Sequence, residues 1–342
     1  MHSLEMKVSD VGEFGLINRI QKILPTIRDE NVLLGIGDDT AVIKIDENRV
    51  QLLTCDIQVE DQHFQLDQIS PYQLGRRAMA VNLSDIAAMG GTPRYALISL
   101  GIPPSFPLSD FETLIQGMRE QLDEFSAHVI GGNLSGTSEK LVIDITLIGE
   151  ARHNRFLTRS GARVRDRIFV TGTLGASSAG YYLLKKFGLQ YPEKFEQLVQ
   201  SHLQPIPRIE LGRQIAATGM ATAMIDISDG LASDLNHICQ MSGVGAELYQ
   251  SQIPIIEHSS EIEKITGKSY PDLVLHASED YELLFTLKKD TNINLIKKIS
   301  AQYNLAITEI GRVVSKSEGY HLITQNKEKI PIKPTGWDHF LQ

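Results

Sequence analysis

Cysteine is scarce in this chain. Among 342 residues there are two, Cys55 and Cys239, and they form no CxxC pair. That argues against a zinc knuckle and a disulfide framework, and makes a reducing cytoplasm the expected setting. Runs of Lys or Arg long enough to track a phosphate backbone are missing, and the net charge is −9, so no nucleic-acid groove is expected. No apolar stretch approaches the ~18 residues a membrane span needs, and MHSLEMKVSD lacks the apolar centre of a secretion signal. The G-x-x-x-x-G-K-[ST] loop, the HRD and DFG pair and the G-x-S-x-G elbow are absent too. P-loop kinases, protein kinases and α/β-hydrolases are thereby disfavoured.

What the chain does have is aspartate in short, separate motifs, each beside a predicted turn or element end. They are GIGDDTAVI (Gly35 to Ile43), Asp56 after the run LLTC, VNLSDIAAMGG (Val81 to Gly91) and IDISDGLASDL (Ile225 to Leu235). Hard cations such as Mg²⁺ take oxygen ligands and commonly bridge to phosphates, so one shared cation site is the natural reading. An acidic protein that handles polyphosphate needs such ions to offset repulsion.

Apolar, β-rich runs predict strands at Val32–Ile36, Ala41–Ile45 and Gln51–Cys55, with Asp56 closing the third. Ser70-Pro71 is an N-cap followed by Pro at the first helical position, predicting a helix over Pro71–Met89 that stops at Gly90-Gly91. A strand at Tyr95–Leu100, a helix at Ser109–Phe125 and a strand at Leu141–Gly149 follow. The polar stretch TRSGARVRD places a domain boundary near 150–160. Beyond it the pattern predicts strands at Arg167–Thr171, Ala221–Ile227, Tyr281–Leu287, Ile307–Val313 and Tyr320–Thr324. Helices are predicted at 176–187, 207–218 and Gly230–Met241. No strict βαβ rhythm appears, so the expected class is α+β in two domains, 1–152 and 153–342.

Each motif has a plain structural alternative. Taken alone, GIGDD is better read as a hairpin turn, and Asp56 reads equally as an ordinary strand end. Asn82 and Asp85 share a face of an Ala-rich helix, where a buried carboxylate would need a partner such as a cation. In IDISDGL, Asp226 and Ser228 fall on one face of a strand end. Asp229 opens a helix whose free N–H groups would suit phosphate; ordinary N-capping by Ser228 or Asp229 would explain one of the three residues but not all. GTLGASSAG (Gly172 to Gly180) lacks a P-loop lysine and reads as a turn into a helix. SEDYELLF carries Glu279, Asp280 and Glu282, and the pattern alone assigns them no role.

Taken together and in this order, GIGDD, NLSDIAAMGG, LTRSGA, DISDGL and EDYEL resemble the thiamine-monophosphate kinase family. That family sits in the superfamily of aminoimidazole ribonucleotide synthetase, selenophosphate synthetase and the hydrogenase-maturation dehydratase. The likeness runs from GEFGLI to GWDHF, and VExxHF with the terminal DHF favours the thiamine branch. The resemblance implies a homodimer whose N-terminal halves pair into a shared β-barrel, with an ATP cleft between the domains and along it. It implies transfer of the γ-phosphoryl of ATP to thiamine monophosphate, directly and in line, with several Mg²⁺ ions, as the last step towards thiamine diphosphate. By matching positions, Asp39, Asp56, Asp85, Asp226 and Asp229 would hold Mg²⁺, with Thr54, Cys55 and Asn133 near the metals. Gly132, Asn133, Arg159 and Ser228 would contact ATP. His63, Glu279 and Trp337 would contact thiamine monophosphate, while Asp38 and Asp234 would be supporting. No catalytic side chain is implied.

Four departures accompany the resemblance. Asn133 stands where Asp is frequent, Cys55 where Thr is usual, Asp61 in place of the Gly of VEGxHF, and Ala277-Ser278 in place of Gly-Gly. Two other readings follow from them and from the superfamily: a non-catalytic binder of thiamine phosphates or nucleotide, and a related ATP-dependent synthetase.

Overall fold

The computed structural model describes residues 7–25, 27–276, 278–333 and Gly336. Among the described residues the N-terminal half holds six strands: β1 (Val32–Leu34), β2 (Ala41–Lys44), β3 (Arg49–Val59), β4 (Thr92–Ile102), β5 (His128–Gly136) and β6 (Val142–Arg152). They form one open sheet in the order β1-β2-β3-β6-β4-β5. Helices α1 (Glu13–Ile23), α2 (Pro71–Ala88) and α3 (Leu108–Asp123) accompany it. Ser70 caps α2 by accepting from Gln73 N–H, with Pro71 at the first position as expected.

The C-terminal half holds β7 (Arg167–Thr171), β8 (Ala221–Asp226), β9 (Val244–Tyr249), β10 (Leu283–Leu287), β11 (Ile307–Ser315), β12 (Tyr320–Ile323) and β13 (Lys329–Pro331). Their order is β13-β12-β9-β11-β7-β10-β8, and every pairing but β9 with β12 is antiparallel. Helices α4 (Ala176–Phe187), α5 (Glu196–Leu203), α6 (Ile209–Ala217), α7 (Leu231–Ser242), α8 (Ser259–Thr266), α9 (Tyr270–Leu275) and α10 (Ile293–Tyr303) complete it. The architecture is a mixed α/β pair of sheets. Among the described residues no helix is long and apolar enough to cross a membrane.

One expectation changes, and one strand was not foreseen. Asp56 does not close a strand; it lies inside β3, which runs on to Val59 because β6 pairs with it along its whole length, Arg49↔Arg152 to Val59↔Val142. The glycine-rich stretch around Gly132 and Asn133 is a strand, β5. It was illegible as one because its residues are all exposed, which leaves no alternation of apolar and polar positions to read.

The two halves meet at α2. Gly212 of α6 lies so close to it that a Cβ there would sit 2.1 Å from the Ala87 carbonyl oxygen. That close approach brings the last turn of α2, with Asp85, against the C-terminal half.

Candidate active site

Four carboxylates converge beneath that contact. Asp39 comes from the loop before β2, Asp56 from β3, Asp85 from the end of α2 and Asp226 from the end of β8. Carboxylate oxygens of Asp39, Asp85 and Asp226 lie within 4.8 Å of one another. Thr54 Oγ1 donates to Asp85, Ser84 Oγ donates to Asp226 at 2.5 Å, and Asp56 N–H donates to Asn82 Oδ1 at 3.2 Å. Asn82, three residues before Asp85, therefore fixes the strand rather than facing a ligand.

A guanidinium bonded to the cluster is that of Arg159, from the segment between the halves. It donates to Asp39 Oδ1 from Nη2 at 2.7 Å and from Nε at 3.1 Å. Asp38 accepts the Arg159 backbone N–H at 3.1 and 3.2 Å, so it holds the arginine's main chain, a supporting part. The Arg159 charge does not balance so many acids. Burial, then the charge of Asp39, pushes Asp226 up to about 7 and Asp38 likewise to about 7. Burial pushes Asp56 up to about 6, and burial with the Asp56 charge carries Asp85 well above the carboxylate range. Carboxylates held this high are short of positive charge.

The donor set fits a hard divalent cation: all ligand atoms are oxygens, they converge, and Asp39 Oδ2 is buried with no hydrogen-bond partner among the described residues. The cluster lines a cavity of about 1010 Å³ between the halves, shared with His63, Ser228, Asp229 and Glu279. His63 Nδ1 accepts Val59 N–H at 2.9 Å, which leaves a neutral ring's proton on Nε2. The turn that carries His63 holds Asp61 at φ 70, a backbone conformation glycine adopts freely, and Asp61 pairs there with Lys140.

Asp229 sits in a second group, with oxygens or nitrogens of Asp229, Asp234 and His237 within 4.8 Å. The loop that leads into α7 (Leu231–Ser242) already has an internal acceptor for its own N–H groups. Asp234 Oδ2 already accepts N–H from Ser228, Asp229 and Gly230 at 3.1, 3.2 and 3.1 Å. Asp234 thus shapes the loop that presents Ser228 and Asp229. Asp234→Ala should leave three donors short of an acceptor, lowering stability by about 2 kcal/mol and weakening Mg²⁺ binding. Urea unfolding and Mn²⁺ titration by electron paramagnetic resonance would check both.

Cys55 and Asn133 stand differently. Alternation along β3 turns the Cys55 side chain to the opposite face from Thr54, and its Sγ donates to Asp144 Oδ1 at 3.1 Å. Any contribution of Cys55 to the carboxylate cluster therefore falls to its backbone. Gly132 and Asn133 line another cleft, of about 640 Å³, beside α3. Gly132 is in the same cross-sheet row as Asp56, through Ile145 and Ile98, three strand steps or about 14 Å away. Trp337 and Ala277 lie outside the described residues.

The three acids of SEDYELLF part company. Glu279 faces the cavity. Asp280 accepts N–H from Gly175 and Ser177 at the start of α4, at 2.7 and 3.1 Å. Glu282 is buried against Arg208 and Thr171. Asp144, Arg77, His202, Tyr181 and Tyr281 were not singled out from sequence. Only Arg77 carried a signal, a cation within an Ala-rich helix.

Paired domains of this architecture with acidic loops at their junction define a class. Residues 37–151 match the AIR synthase related protein, N-terminal domain, and residues 163–323 match the corresponding C-terminal domain. Within that class, the chain is 39% identical to the thiamine-monophosphate kinase of Aquifex aeolicus over 98% of this chain and 100% of that one. It is 34% identical to the thiamine-monophosphate kinase of Bacillus subtilis, over 96% and 100%. The solved complex of AaThiL with AMPPCP and TMP superposes with a TM-score of 0.84 at 37% identity, covering 98% of this chain and 100% of that one. The chain belongs to the thiamine-monophosphate kinase family, whose members are phosphotransferases with a phosphate acceptor.

Proposed function

We propose that this protein transfers the γ-phosphoryl group of ATP to thiamine monophosphate, giving ADP and thiamine diphosphate. The observation that carries the reading is the set of four converging carboxylates, short of positive charge despite Arg159, in a cavity between two domains of this family. AaThiL was solved with AMPPCP and TMP, a nucleotide analogue and an acceptor, which is in keeping with it.

In this reading a phosphate oxygen of the acceptor attacks the γ-phosphorus in line as the bond to the β-phosphate oxygen breaks. The attacking oxygen is already deprotonated, so no side chain need act as a general base. Asp39, Asp56, Asp85, Asp226 and Asp229 would hold Mg²⁺, with Thr54 and the Cys55 backbone beside them. Bound there, Mg²⁺ would offset the repulsion between the two phosphate groups and the acids. Arg159 would leave Asp39 for the nucleotide phosphates, Ser228 Oγ would add a donor, and His63 Nε2–H would point to the acceptor phosphate. Trp337 and Glu279 would contact the thiamine moiety.

The reading extends to a homodimer with the domain boundary at 152/153. Its support is the outer sheet strand: β5 is exposed throughout, with Val129, Ile130 and Leu134 at 42, 57 and 63%. A second copy covering that edge would close the sheets into a shared barrel and bury Gly132 and Asn133 near nucleotide. Sedimentation of the purified protein tests the pairing.

Phosphorus-31 NMR of the protein with ATP, Mg²⁺ and thiamine monophosphate tests the reaction. Diphosphate resonances of thiamine diphosphate should grow as those of ATP decline. Binding of both ligands without ADP formation would favour the non-catalytic reading, and transfer to a different acceptor the synthetase one.

A further inference from the structure

Among the described residues Arg77 is the largest side chain that is buried completely, at 2% exposure within α2. Taking a guanidinium out of water costs several kcal/mol unless partners compensate. Here Nη2 donates to both carboxylate oxygens of Glu279, each at 2.9 Å, and Nη1 donates to the His202 carbonyl. Nε finds no acceptor among the described residues. A purely structural staple would be replaceable by an apolar side chain of similar volume. This one is oriented instead: the guanidinium grips Glu279 from the buried side, and 36% of the Glu279 side chain stays open, facing the cavity.

The surroundings of that carboxylate are aromatic. The Tyr281 hydroxyl donates to Glu279 Oε1 at 3.4 Å, and the Tyr181 and His202 rings lie 5.7 Å apart, all on the same cavity. His202 Nδ1 is 3.1 Å from Ser177 Oγ, and burial together with the Arg77 charge holds its ring down to about 3, so it adds no positive charge. A fixed anion among ring faces and a neutral imidazole favours an aromatic cation.

We propose that Arg77 is a positioning residue that orients Glu279 towards the cationic ring system of the acceptor, with Tyr181, His202 and Tyr281 walling that subsite. This rests on the reading of thiamine monophosphate as acceptor. Arg77 touches no substrate; it acts through Glu279.

The test is calorimetric binding of thiamine monophosphate and of AMPPCP, each with Mg²⁺, to wild type, Arg77→Met, Arg77→Lys, Glu279→Gln and the Arg77→Met/Glu279→Gln double variant. Arg77→Met should weaken acceptor binding about tenfold or more while AMPPCP binding stays within about twofold, and KM for the acceptor should rise without that for ATP. Adding Glu279→Gln should cost little more, because the two residues act as one unit. Arg77→Lys, which keeps the charge but not the planar fork that holds Glu279 and the His202 carbonyl at once, should lie between, and it carries the test should the Met variant fail to fold. Equal weakening of both ligands, or additive losses in the double variant, overturns the proposal. If wild type itself binds no thiamine monophosphate, it is the acceptor reading that fails.

Discussion

Asp226→Asn should lower kcat/KM for phosphoryl transfer by about a thousandfold or more while raising the melting temperature of the metal-free protein. The two effects share one cause. Asp226 is 3% exposed, meets Asp39 and Asp85 within 4.8 Å and is pushed up to about 7 by burial and the Asp39 charge. Removing one negative charge relieves that repulsion, and Ser84 can still donate to the amide oxygen of Asn. The same removal takes away a cation ligand where transition-state charge must be stabilised, and losses of this order follow when such electrostatic groups are deleted. Opposite movement of activity and stability is the signature of a site whose geometry costs the fold something. Steady-state kinetics and a thermal melt in EDTA, run on one preparation, check it. An active variant, or an inactive one that melts lower, would remove Asp226 from the proposed metal cage.

The metal-free protein should also be more stable at pH 5 than at pH 8. Asp226 and Asp38 rise from an ordinary 3.8 to about 7, Asp56 rises to about 6, and Asp39 and Asp85 rise as well. A carboxylate whose pKa is raised on folding binds its proton more tightly in the native state. Between about pH 4 and pH 7 the native chain therefore holds more protons than the unfolded one, and stability falls as pH climbs through that window. A pKa raised by one on folding corresponds to about 1.4 kcal/mol, so even partial expression across the coupled cluster should move the melt by several degrees. Millimolar Mg²⁺ should flatten or reverse the trend, because the cation binds the deprotonated acids. Melts from pH 5 to pH 8, with EDTA and with Mg²⁺, would show it. A melting point that climbs with pH in EDTA would mean that the cluster does not carry this excess charge.

Much of the site could be read from the chain because its acids sit in punctuated motifs. Gly37, Gly90 and Gly230 mark turns at positive φ, and each turn sets an aspartate beside an element end. The helix over Pro71–Ala88 was legible because Ser70 and Pro71 signal its start by local chemistry alone. β5 was not, since an exposed edge strand rich in glycine has no periodicity. The extension of β3 past Asp56 was hidden too, because only the partner strand β6 holds a carboxylate in mid-strand.

Local signals therefore determined the two-part α+β plan, the acidic motifs and the family they resemble. Tertiary structure decided how those acids divide their work. Asp39, Asp56, Asp85 and Asp226 come together because Gly212 lets α6 approach α2 closely. Asp38, Asp234 and Asp280, no different in sequence, are spent on backbone N–H groups. Arg77 shows the same division from the other side. Its sequence neighbours are those of an ordinary helix, and only the meeting of α2 with the loop before β10 turns it into the residue that aims Glu279. Which carboxylate faces a cation, a backbone donor or an arginine depends on long-range packing, because the side chain is the same and only its neighbours differ.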